Sequence, residues 1–231
     1  MKEYRDKELK NLMFLLLFLF LIWCTPIFND IDINTSYDKY HILLNTVESA
    51  LVSATLSCAT VLFDCLISPN LKDKLVGLFF IPRSGETIFS NLRDGKIKDS
   101  RFFTVDAVVF YADIIQSLPG GKTERHKFEN TEWYQIYQRH QKNGQISQSQ
   151  KDYLMCRDLY IEVLGFLIVY ILAICVFPSI IVFSRKFLIT EISLAIAFNI
   201  CTHLKMKRFV TTVIAVDIAK QRNDKKSVST Q

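Results

Sequence analysis

Gly121-Lys122-Thr123 has the ending of a phosphate-binding loop, in which backbone N–H groups cradle phosphates and a lysine answers their charge. The full motif also needs a glycine where Gln116 stands, a buried strand before it and a helix after it. The sequence predicts neither flanking element, which argues against nucleotide binding there. His126 and His140 are the histidines of the stretch between residues 68 and 158, and no His-Glu-x-x-His pattern or carboxylate cluster accompanies them. Both are expected on a solvated surface.

The six cysteines are Cys24, Cys58, Cys65, Cys156, Cys175 and Cys201, and no pair has the Cys-x-x-Cys spacing that closes around zinc or makes a redox centre. All but Cys156 lie in apolar stretches, where a thiol behaves as a small hydrophobe. Neither a disulfide framework nor a cysteine-held metal is expected. There is no Gly-x-Ser-x-Gly elbow and no cysteine in a basic setting beside a histidine, so familiar hydrolase chemistry lacks a nucleophile. No cofactor is implied.

Two groups of residues remain. Arg157-Asp158, followed by Tyr160 and Glu162, stands where a helix is expected to enter a bilayer, placed for an ion pair or for lipid headgroups. The second group sits within apolar sequence. Asn45, Ser49, Ser53, Ser57, Thr60 and Asp64 recur every three or four residues, so they share one helix face, with Glu48 beside them. A carboxylate such as Glu48 or Asp64 costs roughly 3 kcal/mol in hydrocarbon and therefore faces a partner, water or the interface. Asn199 and His203 are expected to hydrogen-bond to this polar face from another helix, and Glu191 to reach the interface beside Arg185 and Lys186.

The elements that position these groups are greasy. Half of the residues are hydrophobic, which is more apolar side chain than a water-soluble fold of this length buries. The formal charge of +5 is spread among acids rather than gathered into a basic stripe, so no nucleic-acid partner is expected. Four spans are predicted, at about residues 11–28, 41–67, 159–183 and 187–204. The first is an anchor rather than a cleaved signal, because no small-x-small site follows it. Ser193, Ala197 and Cys201 give the fourth a small-x-x-x-small pattern. Lys2, Arg5, Lys7 and Lys10 before the first span, and the many basic residues in 68–158 and 205–231, place both termini in the cytoplasm.

The predicted cytoplasmic domain spans 68–158. Val105, Val108, Val109, Ala112 and Ile115 predict a helix over 104–116, stopped by Leu118-Pro119-Gly120-Gly121. Asn130 is expected to cap a helix over 131–142 with Trp133, Ile136 and Tyr137 in the core. A capping box at Ser147 and Gln150 opens a helix that runs unbroken into the third span. After the fourth, Met206, Phe209, Val210, Val213 and Ile214 continue the helical period as far as Lys220, in the amphipathic tail.

The sequence thus predicts an all-α integral membrane protein, multi-pass in the inner or plasma membrane, with a small cytoplasmic helical domain inserted between spans two and three. The function expected from this architecture is non-enzymatic: a self-associating protein, in contact with lipid, whose cytoplasmic helices bind or sense a protein partner and are rigidly joined to the spans. Two rival expectations follow from other residues. One is a small channel or membrane-permeabilising effector lined by the polar face of span two. The other is a membrane-surface enzyme acting on lipid or nucleotide through some of Arg83, Glu86, His126, Arg157 and Asp158.

Overall fold

A computed structural model of the chain describes residues 2–24, 43–44, 46–47, 50–51, 54–55, 58–60, 62, 65–78, 81–176, 178 and 181–229, with side chains between 7 and 223. The described residues are helical or lie in turns, with no strand among them. The helices are α1 (Lys2–Cys24), α2 (Pro69–Val76), α3 (Ile88–Arg93), α4 (Thr104–Phe110), α5 (Ala112–Gln116), α6 (Lys122–His140), α7 (Gly144–Val176) and α8 (Arg185–Ser229). A 3-10 turn, Ser84–Thr87, precedes α3. The chain divides into two compact units, residues 1–76 with 155–201 and residues 77–154 with 202–231. Both boundaries that follow residue 76 fall within a helix: α7 gives residues to each unit, and so does α8.

In the first unit, Phe20 of α1 sits among Phe166, Tyr170 and Phe187, with ring centroids 6.0 to 6.3 Å away in edge-on geometry. Edge-to-face pairs set the positive rim of one ring against the negative face of the next. The Tyr170 hydroxyl accepts from the Ser184 N–H at 3.1 Å, and the Val182 N–H donates to the Cys24 carbonyl at 2.8 Å, which ties the end of α1 to the segment before α8. The predicted third span reaches residue 183, but α7 ends at Val176. Pro178 has no N–H for the helical ladder and its ring clashes with the preceding turn.

The outside of this unit is apolar. Ile189, Ile192, Ile196 and Ile200 form an exposed stripe on one face of α8, and Phe14, Phe18, Ile171, Leu172 and Val176 are exposed as well. By length and composition α7 and the segment Arg185–Asn223 are two helices able to cross a membrane. Every described residue between 43 and 66 is helical. There, Leu43, Leu44, Val47, Leu51 and Leu62 face outward, whereas Thr60 of the predicted polar face is 1% exposed.

The second unit is built around α6 and the end of α8. Trp133 stacks on Tyr137 at 5.8 Å and meets Phe209 edge-on at 5.5 Å, while Val210, Val213 and Ile214 complete the core. Trp133 and Ile136 are buried as predicted. The helix that carries them starts at Lys122 rather than at Thr131, so Asn130 lies inside it and caps nothing. Likewise α7 begins at Gly144, which leaves Ser147 within the helix. The predicted helix over 104–116 is interrupted at Tyr111, whose backbone (φ −109°, ψ 24°) sits in the bridge region. Its buried face is Ala107 and Tyr111; Val105 and Val109 point outward.

Candidate functional site

The break at Tyr111 places a phenol where a continuous helix would not. Its hydroxyl donates to Oδ2 of Asp217 at 2.7 Å. Gln221 Nε2 donates to the same Oδ2 at 2.8 Å, and on the other carboxylate oxygen Nε2 of His140 lies 2.7 Å from Oδ1. Asp217 is 2% exposed and His140 9% exposed, so this is a charged network in the core of the unit, held by the end of α4, the last residue of α6 and α8. A buried carboxylate surrounded by donors is stable where a lone one is not. Burial, reinforced by the Asp217 charge, pushes the Tyr111 phenol above its usual range, so it remains a donor at any ordinary pH.

This corrects the expectation for His140, which is a core residue rather than a solvated one; His126 is half-buried. His140 also lines an open groove of about 950 Å³ with residues 138–145 and Val216, Ala219, Lys220 and Asn223. The imidazole therefore joins the buried carboxylate to the groove wall. Arg139, Lys142 and Lys220 are exposed at this groove and, among the described residues, none is in an ion pair. The start of α7 is on the same wall, where the Gln145 N–H donates to the Asn143 side-chain oxygen at 2.9 Å and the Ser147 N–H to the Asn143 carbonyl at 2.9 Å. The lining has no hydroxyl, thiol or carboxylate side chain. Such a surface supplies donors and positive charge, which suits an anionic ligand or an acidic segment of a partner rather than nucleophilic chemistry.

No protein-family model, curated protein or solved structure matches this chain.

Arg157 and Asp158, expected to form an ion pair or to meet lipid headgroups, have Nη2 and Oδ1 3.0 Å apart, within a larger cluster. Arg157 Nη1 also meets Asp73 at 3.0 Å, and Lys72 Nζ stands 3.8 Å from Asp158. Lys72, Arg157 and Asp158 are buried, so two cations and two carboxylates of α2 and α7 neutralise one another. The Asn199 side-chain amide donates to the Val76 carbonyl at 2.9 Å, closing the end of α2; apart from Thr60, the span-two residues to which it was expected to bond lie outside the described residues. His203 is half-buried in the second unit. Glu191 does not reach the interface: it is 0% exposed, and neither carboxylate oxygen has a hydrogen-bond partner among the described residues. Asn45, Glu48, Ser49, Ser53, Ser57 and Asp64 lie outside the described residues.

The residues of the enzyme expectation fall in two different units, Arg157 and Asp158 in the first and Arg83, Glu86 and His126 in the second. Arg83 and Glu86 form a local pair at the 3-10 turn. A helix does follow Gly121, contrary to the sequence expectation, but the segment before the glycines is the short helix α5 and not a strand. The phosphate-loop context is therefore still missing.

Sequence reasoning missed Asp217 and Glu129. Glu129 of α6 is fully buried and accepts from the N–H groups of Phe89 at 2.8 Å and Ser90 at 3.0 Å, and from the Ser90 hydroxyl. It caps α3 from across the unit. One signal was available for both. Asp217 shares the helical period of Val210, Val213 and Ile214, and Glu129 that of Trp133 and Ile136, so each stood on an apolar face.

Proposed function

We propose that this chain is a non-enzymatic, multi-pass membrane protein with four spans and cytoplasmic termini, self-associating through its second span, whose second unit binds or senses an acidic cytoplasmic partner and passes its state to the spans. The observation that carries this reading is that the two helices able to cross a membrane are the two that continue to the groove. Gly144 and Gln145 of α7 and Val216, Ala219, Lys220 and Asn223 of α8 line it. A ligand seated there touches the first turn of α7 and about two turns of α8, and a packing change at a helix end is transmitted along a rigid element. The exposed isoleucine stripe on α8 supports lipid contact.

Three measurements test the parts separately, all on the full-length chain. Alkaline washing of native membranes leaves the protein in the pellet; its release would refute membrane integration. Chemical crosslinking in those membranes gives oligomers that Ser53→Trp and Ser57→Trp weaken. A strictly monomeric chain, or one indifferent to both substitutions, refutes self-association through span two. Hydrogen exchange of residues 159–176 and 187–201 changes when groove charges are reversed by Lys142→Glu with Lys220→Glu. Identical exchange in the two proteins refutes coupling.

A further inference from the structure

A second groove, of about 440 Å³, lies on the same unit between the 98–101 loop and α8. Its walls are Lys98, Asp99, Ser100 and Arg101 on one side and Leu204, Lys207, Arg208 and Thr211 on the other. The α8 residues share a face at helical spacing. Four cations thus meet around one carboxylate.

Those cations differ in how they are held. Arg101 is fixed: it donates to Asp99 through Nε at 2.9 Å and Nη2 at 2.6 Å, to Thr212 Oγ1 at 2.8 Å and to Thr211 Oγ1 at 3.1 Å. These bonds hold the Asp99 carboxyl down to about 2, so the clamp persists at any physiological pH. Lys205 is engaged with Asp152 at 3.1 Å. Lys98, Lys207 and Arg208 are exposed and make no ion pair among the described residues. One oriented guanidinium with three open cations is a site short of negative charge.

The position of the groove identifies the source of that charge. Leu204 closes one end of it and is also the last residue of the apolar run of α8, which makes Lys207 and Arg208 the next turn, about 5 Å further along the axis. A helix leaving a bilayer passes the phosphate layer at that depth. Open cations one turn past an apolar run are the composition of a surface that meets anionic lipid.

We infer that Lys98, Lys207 and Arg208, beside the Asp99-held Arg101, bind the phosphate of an anionic phospholipid headgroup. This rests on the membrane reading of α8 proposed above. The shared chemistry is a phosphate anion, which a lipid or free phosphate could supply, and the test separates them.

The test uses the purified full-length protein in neutral detergent micelles, titrated calorimetrically with short-chain phosphatidylglycerol, with short-chain phosphatidylcholine and with inorganic phosphate. Phosphatidylglycerol binds, and the other two bind at least about tenfold more weakly. Lys207→Ala with Arg208→Ala, both exposed, weakens phosphatidylglycerol binding about thirtyfold, as expected for two interfacial cations. Lys122→Ala with Lys127→Ala removes the same charge elsewhere and leaves binding unchanged. Equal binding of inorganic phosphate makes this a soluble-anion site and overturns the lipid assignment, as does equal weakening by the control pair or tight binding by the double variant. Release of the wild-type chain by alkaline washing would be failure of the membrane reading itself, a separate result.

Discussion

His140 Nε2 and Asp217 Oδ1 stand 2.7 Å apart across 77 residues of sequence, both buried, with the Tyr111 hydroxyl on the other oxygen of the same carboxylate. The contact fixes the end of α6 to α8 and sets the wall of the groove. Its removal leaves a buried imidazole and a buried phenol without their acceptor. Asp217→Asn keeps the shape but loses the charge, and is expected to destabilise the full-length protein by about 2 to 4 kcal/mol. Thermal unfolding in detergent measures it. His126→Ala, at a half-buried position, should change stability by less than about 0.5 kcal/mol. Similar losses in the two variants would deny the network its role.

Tyr111→Phe removes one hydrogen bond and is expected to cost about 1 to 2 kcal/mol at neutral pH. The same residue sets an alkaline limit. Because burial raises its folded-state pKa above the ordinary phenol value, its contribution is fully present below about pH 10 and is lost as pH rises beyond that. Stability of the wild type should therefore fall more steeply above pH 10 than that of Tyr111→Phe. Parallel pH profiles for the two proteins would contradict this.

Glu129 satisfies three donors at the start of α3, two of them backbone N–H groups. Glu129→Ala strands them and should cost about 2 to 4 kcal/mol, whereas Glu129→Gln keeps an acceptor oxygen and should cost about half as much. Hydrogen exchange at Phe89 and Ser90 gives a local readout. Both amides should lose protection in Glu129→Ala before the rest of the unit does.

Glu191 offers the opposite case. A fully buried carboxyl with no hydrogen-bond partner among the described residues costs the folded state more than a neutral side chain of the same size. Glu191→Gln is expected to hold or raise the melting temperature of the detergent-solubilised protein, by the equivalent of about 1 kcal/mol. A drop of that size instead would mean that the acid is engaged.

Apolar periodicity by itself established that the chain is helical, that α7 continues from polar sequence into a long apolar run, and that α8 extends well past residue 204, because each of these is a local pattern repeated over many turns. It also placed Trp133 and Ile136 in a core. It failed at Val105 and Val109, since periodicity reports which residues could be buried and not which face finds a partner. Only the tertiary structure decided that Tyr111 interrupts its helix, that His140 is a core residue and that Glu129 caps a helix 40 residues before it. Those bonds join residues 39 to 106 positions apart, and no local pattern encodes which distant donor will meet a buried carboxylate once the helices pack.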